Sequence, residues 1–404
     1  MSKINSAISF SDLHLGREFS YLNSKMPQFQ KNKNALVELL QKLGPKDEII
    51  INGDFLEYSF ASFDVVFREV KEFFTLLADG GQYKKIVYIP GNHDHHFWRI
   101  LGEQVHVYGK LIRGIDPPNF EKYPSCFVDE RFSSADPNLP CEIVLEHLWP
   151  NDNFKPEIVV KYPHHLVRIK SDSNKETVYL FTHGHFLEDL FKVVNFLIEP
   201  AHLLELEAFN NMWLELLCYH IGHAGSLSKR IRDLEKKFGE RDKQVIEDIK
   251  ILKRNIYESL KKKLKLKWYE ALGVKWGLNR IVKKIGFKES SGLYKAPLDD
   301  KLKKSIEEYL KKFVLQRYQK GKAKEYFFPC DSDIPKPFTF VFGHTHRPIK
   351  GKPEEIMIDE KIYPIMNTGG WLRTDTEKPD GDTAGLIVVD QEGIRWESLE
   401  GKLE

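Results

Sequence analysis

The chain has 404 residues, 41% of them hydrophobic, with four cysteines and a formal net charge of +2. That length and apolar content exclude a disordered chain and fit one large domain with an insertion, or two modest domains. The start, MSKINSAISFSDLHLG, has only a brief apolar stretch broken by Asn5, Ser6 and Ser9, which is too short for a secretory signal. No run approaches the ~18 to 20 apolar residues of a membrane span. Cys126, Cys141, Cys218 and Cys330 are far apart with no CxxC pair, so reduced thiols in a cytosol are expected rather than a disulfide framework or a zinc ribbon. The expected location is cytoplasmic, with peripheral membrane association left open.

In chain order, INSAISFSD reads as a strand, Gln28 to Leu43 as a helix, DEIIINGD as a strand, Phe63 to Leu77 as a helix and KKIVYIPGN as a strand. This is the rhythm of stacked β-α units. The three strands end in Asp12 with His14, in Asp54, and in Asn92 with His93. Carboxyl ends of strands in open α/β sheets open onto the ligand crevice, so these residues predict one shared site. After residue 100, CEIVLEHLW, EIVVKYPHHLVRI and TVYLFTHGH suit a second, more antiparallel sheet. From about 187 to 325 the apolar residues take helical spacing with dense Lys, Arg and Glu between them. Strand character resumes at FTFVFGHTH and continues through IYPIMNTGGWL to GLIVVDQEGIRWESL. The expected division is a core of 1–190 and 331–404 interrupted by a helical cap at 191–330.

Residues 201–330 hold 30 Lys+Arg against 17 Asp+Glu, a balance of +13, which leaves 31 against 42, or −11, elsewhere. Such asymmetry suits contact with phosphate, lipid headgroups or nucleic acid, and equally suits a solvated helical face. Beside Trp268 and Trp276 the lysines fit an anionic membrane and a lipid-linked substrate. As a groove with exposed aromatics they fit a nucleic-acid backbone. As a lid or oligomer surface the aromatics are core.

The chemistry-bearing residues fall in five motifs, each at the end of a β-type run: DLH with Asp12 and His14, GD with Asp54, GNHD with Asn92, His93 and Asp94, HG with His183, and GHTH with His344 and His346. A lone histidine is usually a hydrogen-bonded structural residue, but five motifs in this order leave that reading little room. Imidazoles, carboxylates and one amide oxygen without thiolate suit Mn²⁺, Fe²⁺ or Zn²⁺. Such ions hold a phosphate and lower the pKa of bound water. His93 follows Asn92 directly and faces the site. Asp94 either orients its imidazole or caps the turn. Arg17, Arg99 and Arg347 lie near motifs and suit a second phosphate, while His95, His96 and His185 read as rim residues.

This ordered set resembles the calcineurin-like metallophosphoesterase superfamily over roughly residues 1 to 200 and 335 to 400. DLHLG, GHTHRP and MNTGGWL are most similar to the branch containing UDP-2,3-diacylglucosamine pyrophosphohydrolase. The resemblance implies a four-layer α/β/β/α sandwich carrying a large helical insertion and two metal ions, Mn²⁺ being the expected choice. It implies that Asp12, His14 and His346 hold one ion and Asn92, His183 and His344 the other, with Asp54 bridging. It assigns His93 to leaving-group protonation or transition-state stabilisation. The function expected is hydrolysis of a phosphodiester, pyrophosphate or phosphomonoester by a metal-activated water. The substrate would be a phosphorylated small molecule or a lipid-linked phosphate. A nuclease, a protein phosphatase and a non-catalytic scaffold are the alternatives.

Overall fold

The computed structural model describes residues 2–117, 144–150, 154–170, 176–187, 214–220, 223, 254, 257–258, 298–315, 337–373 and 383–399. The first sheet is built on β2 (Ala7–Phe10), β3 (Lys46–Asn52), β4 (Tyr83–Ile89) and β5 (Glu157–Val160), parallel neighbours in that order. Ile49, Ile50 and Ile51 are all buried, as expected of a parallel strand covered on both faces. On its far side β2 meets β11 (Gly385–Asp390), which turns back antiparallel into β12 (Gly393–Ser398). The second sheet runs β1 (Ser2–Ile4), β6 (His164–Lys170), β7 (Glu176–Thr182), β8 (Thr339–Phe342), β10 (Lys361–Asn367), β9 (Glu354–Ile358), with β6 antiparallel to β7 and β9 antiparallel to β10.

The sheets face each other: His165 on β6 reaches across to Glu48 on β3 at 2.8 Å. Helices α1 (Phe29–Leu43) and α2 (Phe63–Gly80) cover the outer face of the first sheet. Leu36, Leu39 and Leu40 on α1, and Val66, Val70, Phe73, Phe74 and Leu77 on α2, recur at three- and four-residue intervals and are all buried, the spacing of one apolar face. Phe73 meets Phe10 and Phe55 edge-on, each at 5.6 Å. Helix α3 (His95–Glu103) starts immediately after the GNHD loop, and α4 (Asp300–Tyr309) lies on the second sheet. The side chain of Asp299 caps α4 by accepting from the Leu302 amide at 2.7 Å, and Leu302, Ser305, Ile306 and Tyr309 form its buried face. Tyr309 reaches His164 at 2.6 Å and lies parallel to Phe186, 6.0 Å away. The result is an α/β sandwich of two sheets with helices outside each.

All the described strands fall within 1–190 and 331–404. Three expectations change. CEIVLEHLW is not a strand where it is described: Val144–Leu148 is a 3-10 turn, because Leu145 and Trp149, four residues apart, are buried together and Trp149 packs on Phe74. β5 joins the first sheet, since its all-apolar IVV extends the parallel series from β4. α4, within the range expected to cap the core, instead belongs to the outer layer of the sandwich. The lysine-rich stretch with Trp268 and Trp276, together with Cys126, Cys141, Cys330 and the side chain of Cys218, lies outside the described residues. No helix among the described residues is long and apolar enough to cross a membrane.

Candidate metal centre

The loops after β2, β3 and β4 in the first sheet, and after β7 and β8 in the second, converge at one edge of the sandwich. There they bring Asp12, His14, Asp54, Asn92, His93, His183, His344 and His346 together. Five of these residues hold left-handed backbone: Asp12 (φ 55°), His14 (φ 44°), Asp54 (φ 49°), His344 (φ 67°) and His346 (φ 55°). That conformation costs a non-glycine residue roughly 1–3 kcal/mol and collects at functional sites. Glycines make the close approach possible. A Cβ on Gly53 (φ 90°) would lie 2.2 Å from His183 Nδ1, one on Gly91 2.3 Å from Asp54 Oδ1, and one on Gly370 2.8 Å from the His346 ring.

The donor and acceptor pattern identifies what the cradle binds. His183 Nδ1 donates to the carbonyl of Asn52 at 3.1 Å. Its Nε2 then faces Asn92 Oδ1 at 3.0 Å, Asp54 Oδ2 at 3.3 Å and His344 Nδ1 at 3.3 Å. His14 Nδ1 donates to Glu57 Oε2 at 2.9 Å, which turns its Nε2 lone pair toward His346 Nε2 at 3.3 Å and Asp54 Oδ2 at 3.6 Å. His346 Nε2 also lies 3.2 Å from Asp12 Oδ1. Lone pairs thus converge in two groups and Asp54 belongs to both. A cation is the species that fits such an arrangement, and imidazole, carboxylate and amide oxygen are its usual ligands. Without a cation a proton takes its place: burial works against it, yet Asp54 and Asp12 raise the His183 imidazole to about 9. Burial, reinforced by His93, pushes His14 down to about 4, so its Nε2 keeps a lone pair.

Glu57 was not singled out from sequence. Fully buried, it takes His14 Nδ1 on one oxygen and His93 Nδ1 on the other, at 2.9 and 2.8 Å, with Arg17 at 3.5 Å. Despite burial, His93 and His14 hold its carboxyl well below the usual range. These are hydrogen-bond lengths from separate oxygens, so Glu57 orients two rings rather than holding an ion. Its only signal in the sequence is a carboxylate three residues after Asp54. Asn367 was equally silent: it donates to the Gly343 carbonyl at 3.1 Å and to Thr345 Oγ1 at 3.0 Å, bracing the GHTH loop.

The expectation that Asp94 orients His93 gives way to its alternative. Asp94 Oδ2 accepts from the amides of Phe55 at 2.7 Å and Leu56 at 3.1 Å, and Oδ1 accepts from Gly91. It ties two ligand loops together while Glu57 meets His93. Burial and the nearby Asp54 raise its carboxyl to about 6. His95 and His185 are buried at 1% and 0% exposure rather than at a rim. His95 Nδ1 lies 3.4 Å from Glu215, and His185 Nε2 lies 3.3 Å from the Tyr162 hydroxyl. Arg17 lies over the Phe60 ring at 5.2 Å, beside the site. Arg99 and Arg347 are partly exposed, Arg99 along α3 and Arg347 directly after His346.

The sequence matches the family model described as calcineurin-like phosphoesterase over residues 8–254, more than half of the chain, and the chain belongs to that family. The match ends before GHTH, whose two histidines are joined to the site by the fold itself. No curated protein matches the chain.

Proposed function

We propose that the chain is a metal-dependent phosphoester hydrolase using two divalent cations, with a phosphodiester, pyrophosphate or phosphomonoester as the bond cleaved. The observation that carries this is the double convergence of lone pairs with Asp54 common to both groups. His346, Asp12 and His14 would hold one cation and His183, His344 and Asn92 the other. When bound, the pair of cations supplies charge for the phosphoryl oxygens and an acidified water. The protein's own residues do the rest. Glu57 fixes the His14 ring and the carbonyl of Asn52 fixes that of His183, and Glu57 also holds His93 by Nδ1, which assigns Nε2 as the nitrogen that exchanges a proton with the leaving oxygen. Arg17, beside Glu57 and over Phe60, would meet an outer phosphate oxygen. Mn²⁺ is the ion we favour and the cytoplasm the location. The basic stretch outside the described residues keeps a lipid-linked substrate in view.

The test is hydrolysis of bis-p-nitrophenyl phosphate and p-nitrophenyl phosphate by metal-stripped protein reloaded with Mn²⁺. Diester turnover should require metal, and His93→Ala should cost roughly 10² to 10⁴-fold in kcat while the protein retains two ions per chain. Loss of turnover together with loss of metal would show that His93 acts in binding instead.

A further inference from the structure

Asp12 carries two carboxylate oxygens, and they are held differently. The backbone amide of His344 reaches both, Oδ2 at 2.9 Å and Oδ1 at 3.1 Å, so it does not tell them apart. The hydroxyl of Ser11 does. It donates to Oδ2, and Oδ1 is left 3.2 Å from His346 Nε2. Ser11 is buried, at 1% exposure, and lies where the ends of β2, β3 and β8 meet. Its Oγ is also 2.8 Å from the carbonyl of Asn52, the group that receives His183 Nδ1. A hydroxyl has one proton to give, and a charged carboxylate holds it more strongly than a neutral carbonyl does. Ser11 therefore serves Asp12 and leaves the Asn52 carbonyl to His183. Gly343 makes the room, since a Cβ there would overlap the Ser11 hydroxyl and lie 2.6 Å from Asp12 Oδ2.

We propose that Ser11 is a positioning residue that sets which oxygen of Asp12 faces the cation shared with His14 and His346. The proposal rests on the reading of the metal centre given above. Without the hydroxyl, the carboxylate keeps only the His344 amide, which accepts either orientation. The other group, Asn92, His183 and His344, keeps its own hydrogen bonds. The effect is thus confined to one of two cations, which a general loosening of this edge would not be.

The test is titration of the metal-free full chain with Mn²⁺, followed by electron paramagnetic resonance, which distinguishes a coupled pair of ions from a single one. The unaltered chain should show the pair once two Mn²⁺ per chain are bound. Ser11→Ala should show a single ion at the same Mn²⁺ concentration. The pair should return at roughly 10 to 100 times that concentration, the factor by which residues behind a ligand change metal affinity. Diester turnover should return with the pair, because Ser11 acts through Asp12 and touches no reacting atom. Ser9→Ala is the control: Ser9 is equally buried, its hydroxyl has no hydrogen-bond partner among the described residues, and the variant should titrate as the unaltered chain does. The proposal is overturned if Ser11→Ala weakens neither ion or both alike, if turnover fails to return with the pair, or if Ser9→Ala shows the same loss. An unaltered chain that binds no Mn²⁺ would refute the metal centre itself. Two ions held equally well by Ser11→Ala would refute the role of Ser11 and leave the centre standing.

Discussion

Two sets of buried histidines occupy the same sandwich and differ in what surrounds them. Around His14 and His183 one nitrogen donates to a protein acceptor, and the other meets further lone pairs from Asp54, Asn92, His344 or His346. His164, His165 and His185 are buried as deeply, yet their partners include groups able to donate. Tyr309 meets His164, Lys161 meets His165 Nδ1 at 3.4 Å while Glu48 meets its Nε2, and Tyr162 meets His185. Burial does not make a ligand. A lone pair surrounded by other lone pairs does, because only a cation or a proton relieves it.

The largest way to break the contrast is to remove the carboxylate shared by both groups. Asp54→Asn should lower kcat/KM by about a thousandfold, the scale of several kcal/mol of lost charge stabilisation. Metal analysis should find fewer than two ions per chain. The matching change among the other histidines, His165→Gln, should leave metal content untouched.

Glu57→Gln sharpens the contrast by keeping the ligands while loosening the rings behind them. A loss of about 10- to 100-fold is expected, as for other residues that orient ligands, with both ions retained. The pH profile should move as well, because the buried carboxylate that His93 and His14 hold ionised is gone. An unchanged profile would argue that Glu57 matters for packing alone.

The smallest effect lies with the structural set. Burial pushes His164 down to about 3, against 6.5 for an unperturbed imidazole, so the unfolded chain takes up a proton that the fold excludes. Its contribution is complete above pH ~6.5 and is lost as the pH falls, by about 1.4 kcal/mol per unit until the folded value is reached. Denaturation of metal-free protein between pH 6.5 and 4.5 should show this slope added to that of the other imidazoles lowered by burial, His14 and His165 among them, and His164→Asn should flatten the total by that amount.

The residues that the fold brings together at this edge were legible in the sequence because each sits where a β-type run stops, a place that combines periodicity with topology. Asp12, Asp54 and His183 needed no knowledge of side-chain direction. Glu57 was invisible for the opposite reason: it lies in irregular backbone, where no period says which way a carboxylate points. Asp94 was open between two roles because sequence adjacency to His93 says nothing about which backbone amides lie nearby. Leu145 and Trp149 misled because a short apolar run fits a strand or a helical turn equally well. α4 read as part of a cap since its amphipathic pattern shows that one face is buried without showing against what.

His14 and His346 lie 332 positions apart, yet their Nε2 atoms come within 3.3 Å. A growing chain cannot build this cradle until β8 and the turn after it have been synthesised, by which time β2, β3 and β4 are long available to pair. Cations could not complete their cradle at those early steps, because three of the seven candidate ligands, His183, His344 and His346, do not yet exist. Metal acquisition would thus be a finishing event, the step at which one edge of an already formed sandwich is sewn shut.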